Sequence, residues 1–127
     1  MNIFKKTSFW VIVSIIGFGF IAFSLIPKPI DTNLDNIGNG QKSVVFVYDA
    51  NLTVSNQQTV EINKARETLG ERVNFLLAKP GDPRAESFLK HHLALSTDLL
   101  FFNESGELVD RQVALLSAEE LIESLSD

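Results

Sequence analysis

Few side chains in this 127-residue chain could carry chemistry, and cysteine is absent. Without a thiolate, the chain's own residues cannot support disulfide exchange, a cysteine nucleophile or a cysteinyl metal site. His91 and His92 are adjacent, and neighbouring residues on a helix point about 100° apart, so the pair is a poor chelate and we predict no metal site. Asp49 follows an apolar run, but no base or nucleophile nearby in sequence gives it an acid–base role. No catalytic residue and no cofactor is therefore predicted.

Charge is distributed unevenly along the chain. Residues 1–27 contain Lys5, Lys6 and no acid, whereas the remaining hundred residues hold nine Lys or Arg against all sixteen acids, a net charge of −7. Because a phosphate-binding surface needs clustered cations, this acidic portion argues against nucleic acid as a partner. Its apolar content suffices for one core, although we expect a domain of this size to be only marginally stable.

The longest apolar run occupies residues 8–26, nineteen residues without a charge. About twenty helical residues cross a hydrocarbon core of roughly 30 Å, so the run predicts one transmembrane helix. Lys5 and Lys6 precede it, and the positive-inside rule then places the N-terminus in the cytoplasm and the rest of the chain outside it, on the periplasmic side of the inner membrane. The alternative is a cleaved signal peptide, whose apolar stretch would usually be about 7–15 residues with a small-residue cleavage pattern. The SLIPKP that follows lacks that pattern, so we predict that residues 1–27 are an uncleaved membrane anchor.

Residues 28–41 are rich in Pro, Asn, Asp and Gly, a composition typical of a linker. Fully extended, such a segment reaches about 50 Å, so the domain that follows at residues 42–127 need not sit on the bilayer. The same segment could contribute a short edge strand.

Four apolar runs within residues 42–127 predict strands, at residues 43–49, 72–78, 99–102 and 107–114. We expect these strands to share one core, whose members include Val45, Val47, Phe75, Leu99 and Phe101. On the returning strand we expect Leu108 and Val113 to meet that core. The turn at residues 103–106 contains a glycine and predicts a hairpin between the last two strands.

Helix-capping patterns separate the strands. Ser55 and Gln58 match a capping box with Ser55 as the N-cap, and predict a helix that starts after Ser55 and ends near Leu69, before Gly70. Asp82 followed by Pro83 predicts the start of a second helix, which extends to about His91. Ser117 with Glu120 predicts the start of a third helix. In the first helix, Val60, Ala65 and Leu69 fall near one face, and in the last, Leu121, Ile122 and Leu125 form the apolar stripe. A helix between the first two strands favours a parallel pair, and the order β-α-β-α-β-β-α indicates an α/β domain with a mixed sheet.

Local sequences carry a resemblance to the thioredoxin family across about residues 43–126. VYD at residues 47–49 is similar to the end of the family's first buried strand. TDLLFFNESGE at residues 97–107 resembles its third strand and hairpin, and ALLSAEEL at residues 114–121 resembles the start of its final helix. The resemblance implies a thioredoxin-like sandwich, here with an N-terminal transmembrane helix.

Two departures from the family bear on function. Where thioredoxins carry Cys-Gly-Pro-Cys at the start of the first helix, the matching residues here are Leu52, Thr53, Val54 and Ser55. Where the family keeps a cis-proline opposite that motif, this chain has Thr97, for which a cis bond would cost several kcal/mol. The resemblance therefore implies a domain that has lost both halves of a thiol-exchange site.

The same alignment implies a groove in which other contacts survive, formed by Leu52, Thr53, Val54, Ser55, Leu95 and Thr97. We predict a non-enzymatic, membrane-tethered module that binds a protein partner in this groove. The alternative is a non-redox enzyme or a small-molecule site of the glutathione type, in which Thr53, Ser55 and Thr97 make the contacts. A third possibility is an inert spacer whose membrane helix engages other subunits.

Overall fold

The computed structural model describes residues 28–126, so the predicted anchor lies outside the described residues. Within residues 28–126, no helix is both long and apolar enough to span a membrane. The described chain follows the predicted order β-α-β-α-β-β-α, with short 3-10 turns at Leu34–Asn36 and Gly70–Arg72. Its elements are β1 (Lys42–Val47), α1 (Thr53–Leu69), β2 (Val73–Ala78), α2 (Pro83–His92), β3 (Asp98–Phe102), β4 (Leu108–Val113) and α3 (Ala118–Leu125).

The four strands form one mixed sheet in the order β2-β1-β3-β4. The pair β1–β2 is parallel, as the intervening helix predicted, with Val45 opposite Leu76. Both β1–β3 and β3–β4 are antiparallel. The predicted hairpin joins β3 to β4, and Gly106 in its turn has a φ of 89°, a value that glycine adopts without steric cost.

The two faces of the sheet bury separate cores, which corrects the prediction of a single one. Successive side chains of a strand point to opposite faces. Phe75, Leu99 and Phe101 therefore lie on the face covered by α1 and α3. Val45 and Val47 lie on the other face, with Ala85 and Phe88 of α2. All five of the predicted strand residues are buried, as expected. The prediction was wrong only in placing them on the same face of the sheet.

The predicted start of α1 is wrong. The helix begins at Thr53, after Leu52 as an N-cap residue that makes no side-chain capping bond. Ser55 is buried in the first turn, and Gln58 points into the protein and bonds to a distant segment. The pattern that resembled a capping box thus serves tertiary packing. The predicted end is confirmed, with Leu69 as the last helical residue and Gly70 at a φ of 61°.

The other two caps are confirmed. The Asp82 carboxylate accepts the backbone N–H of Arg84, and Pro83 occupies the first turn of α2. The Ser117 hydroxyl accepts the backbone N–H of Glu120 at the start of α3. In both cases a side-chain oxygen satisfies an N–H that has no partner inside its helix.

Three residues expected in the core are exposed. Leu108 and Val113 belong to β4, a strand at the edge of the sheet, and their exposed fractions are 40% and 60%. Val60 is 52% exposed, whereas Ala65 and Leu69, which were predicted on the same face of α1, belong to its buried stripe. That stripe consists of Ser55, Gln58, Ile62, Ala65 and Leu69.

Candidate functional site

The end of the loop after β1 and the first turn of α1 carry four of the predicted groove residues. Leu52 and Thr53 are exposed at the start of the helix, Val54 is half-buried, and Ser55 is fully buried. The Ser55 hydroxyl accepts the backbone N–H of Asp49 at 3.1 Å. This bond ties the first turn of α1 to the residue at which the loop begins, so Ser55 is a structural member of the site.

The structure brings the Leu95–Thr97 segment against this loop. The Ser96 hydroxyl donates to the Asp49 carboxylate at 3.3 Å. The backbone N–H of Thr97 donates to the carbonyl of Val47 at 2.8 Å. Asp49 also accepts the N–H of Asn51, so its carboxylate holds both loops in place. The two segments that the sequence analysis grouped are therefore neighbours at the C-terminal end of β1.

Thr97 has an unusual backbone at this junction. Its φ is 73°, a conformation that is uncommon for a β-branched residue. Its N–H is bonded to Val47, and its carbonyl accepts the N–H of Ala114 at 3.0 Å. Both backbone groups of Thr97 are thus used within the fold. The peptide bond before Thr97 is trans, and the bond between Ala114 and Leu115 is cis.

A third segment, which was not among the predicted groove residues, completes the site. It runs from β4 to α3 and includes Leu115, which is 49% exposed, and Leu116, which is buried. The side chain of Gln58 holds Leu116 by two hydrogen bonds, donating to its carbonyl at 2.9 Å and accepting its N–H at 2.8 Å. The only sequence signal for this segment is a pair of leucines immediately before the cap of α3.

Each of the three segments presents one exposed leucine. Leu52 is 39% exposed, Leu115 is 49% exposed and Leu95 is 72% exposed. We call these three residues the apolar rim. Single exposed leucines are ordinary, but three on converging segments at one end of a sheet are typical of an interaction surface.

The chemistry available at this end is limited to contact and hydrogen bonding. The hydroxyls of Ser55 and Ser96 are both engaged with Asp49. No group of three or more His, Asp or Glu residues in the described part of the chain could hold a metal ion. A cavity of about 500 Å³ lies at the opposite end of the sheet, and Lys42, Arg72 and Ile122 are among its lining residues. None of the predicted groove residues lines that cavity.

The two histidines lie elsewhere, at the C-terminus of α2. The His92 ring packs against Phe88 and Phe102, with centroid distances of 4.6 and 5.4 Å. Burial lowers the pKa of His92 below its usual value, and the positive charges of His91 and Arg111 act in the same direction. His92 therefore has the surroundings of a core residue.

Comparisons with solved structures identify the architecture. A thioredoxin-like protein from Clostridium perfringens superimposes with a TM-score of 0.65 at 12% identity, covering 74% of this chain and 78% of that one. Thioredoxin-2 of the malaria parasite gives 0.60 at 16% identity, covering 66% and 80%. The exposed lipoprotein thioredoxin of Streptococcus pneumoniae gives 0.61 at 11% identity, covering 69% and 85%. This is a thioredoxin-like fold.

No protein-family model matches the chain, and no curated protein matches it in sequence. At 11–16% identity these neighbours establish the fold and nothing further about activity. The absence of cysteine separates this thioredoxin-like chain from any mechanism that needs a thiol of its own.

Proposed function

We propose that this chain is a membrane-tethered, non-catalytic thioredoxin-like module that binds a segment of a partner protein outside the cytoplasm. The observation that carries the proposal is the apolar rim, Leu52, Leu95 and Leu115. Its three segments are fastened to one another and to the sheet by the bonds of Asp49, Thr97 and Gln58. A rigid surface of this kind loses little conformational freedom when a partner binds.

The rim favours a protein partner over a small molecule. The alternative, a glutathione-type site, would use the hydroxyls of Thr53, Ser55 and Thr97. Ser55 is fully buried and its hydroxyl already accepts the N–H of Asp49, so it is not free to contact a ligand. Both backbone groups of Thr97 are also occupied, which removes the donor and acceptor that would pair with a peptide-like ligand. Recognition then rests on apolar side-chain contact.

Affinity capture with site-specific cross-linking tests the proposal. A photo-reactive amino acid at Thr53, which is exposed beside Leu52, would be introduced into the full-length protein in native membranes. We expect it to cross-link one defined partner, identified by mass spectrometry after detergent solubilisation. Leu52→Asp with Leu95→Asp should abolish the cross-link, because a charge placed in an apolar contact must be desolvated.

Val109→Asp provides the matched control. Val109 is also an exposed aliphatic residue, but it lies near the hairpin end of β4, away from the rim. This variant should retain the cross-link. Equal capture by the rim variant and by the control would show that the rim is not the binding surface.

A further inference from the structure

The segment that leads into the domain is part of the fold. The guanidinium of Arg66, on α1, donates to the carbonyl of Lys28 at 2.7 Å. Three residues along, Asp31 pairs in parallel with Leu76 of β2, and its carbonyl accepts the N–H of Leu77 at 2.8 Å. The chain therefore runs along the outer edge of β2 as a fifth, minimal strand.

The same segment stays in contact as it continues. The side-chain amide of Asn74 donates to the carbonyl of Asn36 at 3.2 Å and to the side chain of Asn39 at 2.9 Å. Ile30 packs against the core under α1 and α3, and Leu34 and Ile37 pack against the core under α2. Both cores thus contact this segment, as a flexible linker would not.

A close glycine contact fixes the far end of the segment. Gly38 has a φ of 83°, and a Cβ at this position would lie 3.1 Å from the carbonyl oxygen of Ser105 in the hairpin. The next glycine, Gly40, donates its N–H to the carbonyl of Glu104 at 3.1 Å. Residues 28–41 are therefore held at the start, the middle and the end, and we call them the strap.

The strap determines where the chain enters the domain. Lys28 is held by Arg66, in the last turn of α1, whereas the apolar rim lies at the first turn of the same helix. A helix of 17 residues is about 25 Å long at 1.5 Å per residue. The point at which the chain enters and the rim consequently lie at opposite ends of the domain.

We propose that the strap holds the Gly70–Arg72 end of the domain against the surface of the bilayer and directs the apolar rim away from it. This inference rests on the membrane tether of the proposed function. Only Pro27 separates Lys28 from the predicted end of the apolar run at Ile26, so little free chain separates the bilayer from the domain. Charge does not select this end, because Arg66 and Arg72 lie beside Glu67 and Glu71. The partner of this surface is the lipid headgroup layer, and the rim remains open to a protein about 25 Å above it.

Fluorescence quenching by headgroup-labelled lipid tests the orientation. Because the chain has no cysteine, Glu71→Cys and Leu95→Cys each give one label site, and both positions are exposed. The full-length variants, labelled with bimane, would be reconstituted into vesicles of phosphatidylcholine and phosphatidylglycerol containing a nitroxide on the headgroup. We expect the label at position 71 to be quenched several-fold more strongly than the label at position 95.

Two altered chains show whether the strap causes the difference. Ten Gly/Ser residues between Pro27 and Lys28 add a flexible span of about 17 Å, and should reduce quenching at position 71 toward that at position 95. Arg66→Ala with Gly38→Val should loosen the strap and have the same effect, because it removes the bond to Lys28 and introduces a side chain where there is no space for one. Far-ultraviolet circular dichroism of each variant checks that the domain is folded.

The outcomes separate this inference from the proposed function. If the protein is stripped from the vesicles by alkaline carbonate, there is no tether, and both proposals fail. If it stays in the bilayer but the two labels are quenched equally, or position 95 more strongly, the strap orientation is wrong while the tether stands. Unequal quenching that persists after the ten-residue insertion would also overturn the role of the strap.

Discussion

At the residue scale, the backbone at Thr97 is unsuited to a proline. Its φ of 73° is opposite in sign to the value of about −65° that the proline ring requires. Its N–H donates to Val47, and proline has no N–H to replace that donor. The resemblance to thioredoxins aligns Thr97 with the family's cis-proline, but the backbone at Thr97 does not suit that residue.

We predict that Thr97→Pro lowers the free energy of unfolding by more than about 1 kcal/mol, since both the φ and the lost hydrogen bond oppose it. Thr97→Gly is the matched control, because glycine adopts positive φ without steric cost and keeps the N–H. We expect the glycine variant to be at least as stable as the parent in urea denaturation. A proline variant as stable as the parent would show that the loop readily adopts another conformation.

A second prediction at this scale concerns Leu52 and Ser55. Changing both to cysteine places two sulfurs in the first turn of α1, where helix N–H groups stabilise a thiolate. We expect the pair to close into a disulfide under mild oxidant and one thiol to titrate below about 8.5, the value for an unperturbed cysteine. The exchange activity should remain weak, because Thr97 does not supply the proline of the opposite wall.

The single variant Leu52→Cys is the control for this pair. It has an exposed thiol at the helix start and no partner, so it should not form the intramolecular bond. Two cysteines that stay reduced, with ordinary thiol pKa values, would contradict the alignment of residues 52–55 with the family's active-site motif. Because Ser55 loses its bond to Asp49 in the double variant, we also expect a loss of about 1 kcal/mol in stability.

At the scale of elements, Gln58 joins α1 to the segment before α3. Its amide satisfies both backbone groups of Leu116, and the side chain is fully buried. We predict that Gln58→Ala lowers the free energy of unfolding by about 3 kcal/mol, because it leaves a buried N–H and a buried carbonyl without partners. Gln57→Ala, one residue away and exposed, should change it by less than about 0.5 kcal/mol. Equal effects of the two variants in urea denaturation would mean that Leu116 finds other partners.

The end of α2 should give the domain a pH-dependent stability. The pKa of His92 is lowered in the folded state, chiefly by burial, and the charged groups around it are His91 and Arg111, with Asp98 paired to Arg111 at 3.9 Å. The unfolded chain takes up the proton near pH 6.5, before the folded protein does. The free energy of unfolding should therefore fall as the pH drops below 6.5. It should stop falling once the pH is below the pKa of His92 in the folded protein.

The substitution His92→Phe tests this dependence, because it keeps an aromatic ring between Phe88 and Phe102 and removes the titrating group. We expect this variant to lose less stability between about pH 6.5 and pH 5 than the parent, measured by thermal unfolding in buffers of equal ionic strength. His91→Gln removes only the smaller contribution of the neighbouring charge, so it should lose nearly as much stability as the parent over the same range. If His92→Phe loses as much stability between about pH 6.5 and pH 5 as the parent, groups other than His92 cause the loss.

At the scale of the whole molecule, the prediction is topological. A reporter that is active only after export, fused to Asp127, should be active if Lys5 and Lys6 place the N-terminus in the cytoplasm, as the positive-inside rule predicts. Replacing those two lysines with glutamine and placing lysines at positions 27 and 29, on either side of Lys28, should reduce that activity. A silent fusion, or a mature protein that begins near Pro27, would contradict the anchor.

The order of the elements was open to prediction because it depends on local chemistry. Apolar runs predicted the strands. The helix caps at Asp82 and Ser117 were predictable because each side-chain oxygen accepts a backbone N–H only two or three residues further along the chain. The same local reasoning failed at Ser55 and Gln58. Polar residues three apart can cap a helix or satisfy distant buried groups, and the sequence pattern is identical in the two cases.

By itself, the sequence determined that this chain has no thiol chemistry of its own and that its order of elements is that of a thioredoxin-like domain. Only the tertiary structure decided which face each side chain occupies, since Val45 and Phe75 lie on opposite faces although both are buried. It also showed that residues 28–41 pack on the domain, and that Leu115 joins Leu52 and Leu95 at one end of the sheet. These features depend on contacts between residues far apart in the chain. A local pattern of polar and apolar residues does not show which distant backbone N–H or carbonyl groups need a hydrogen-bond partner, or which distant apolar surface needs to be buried.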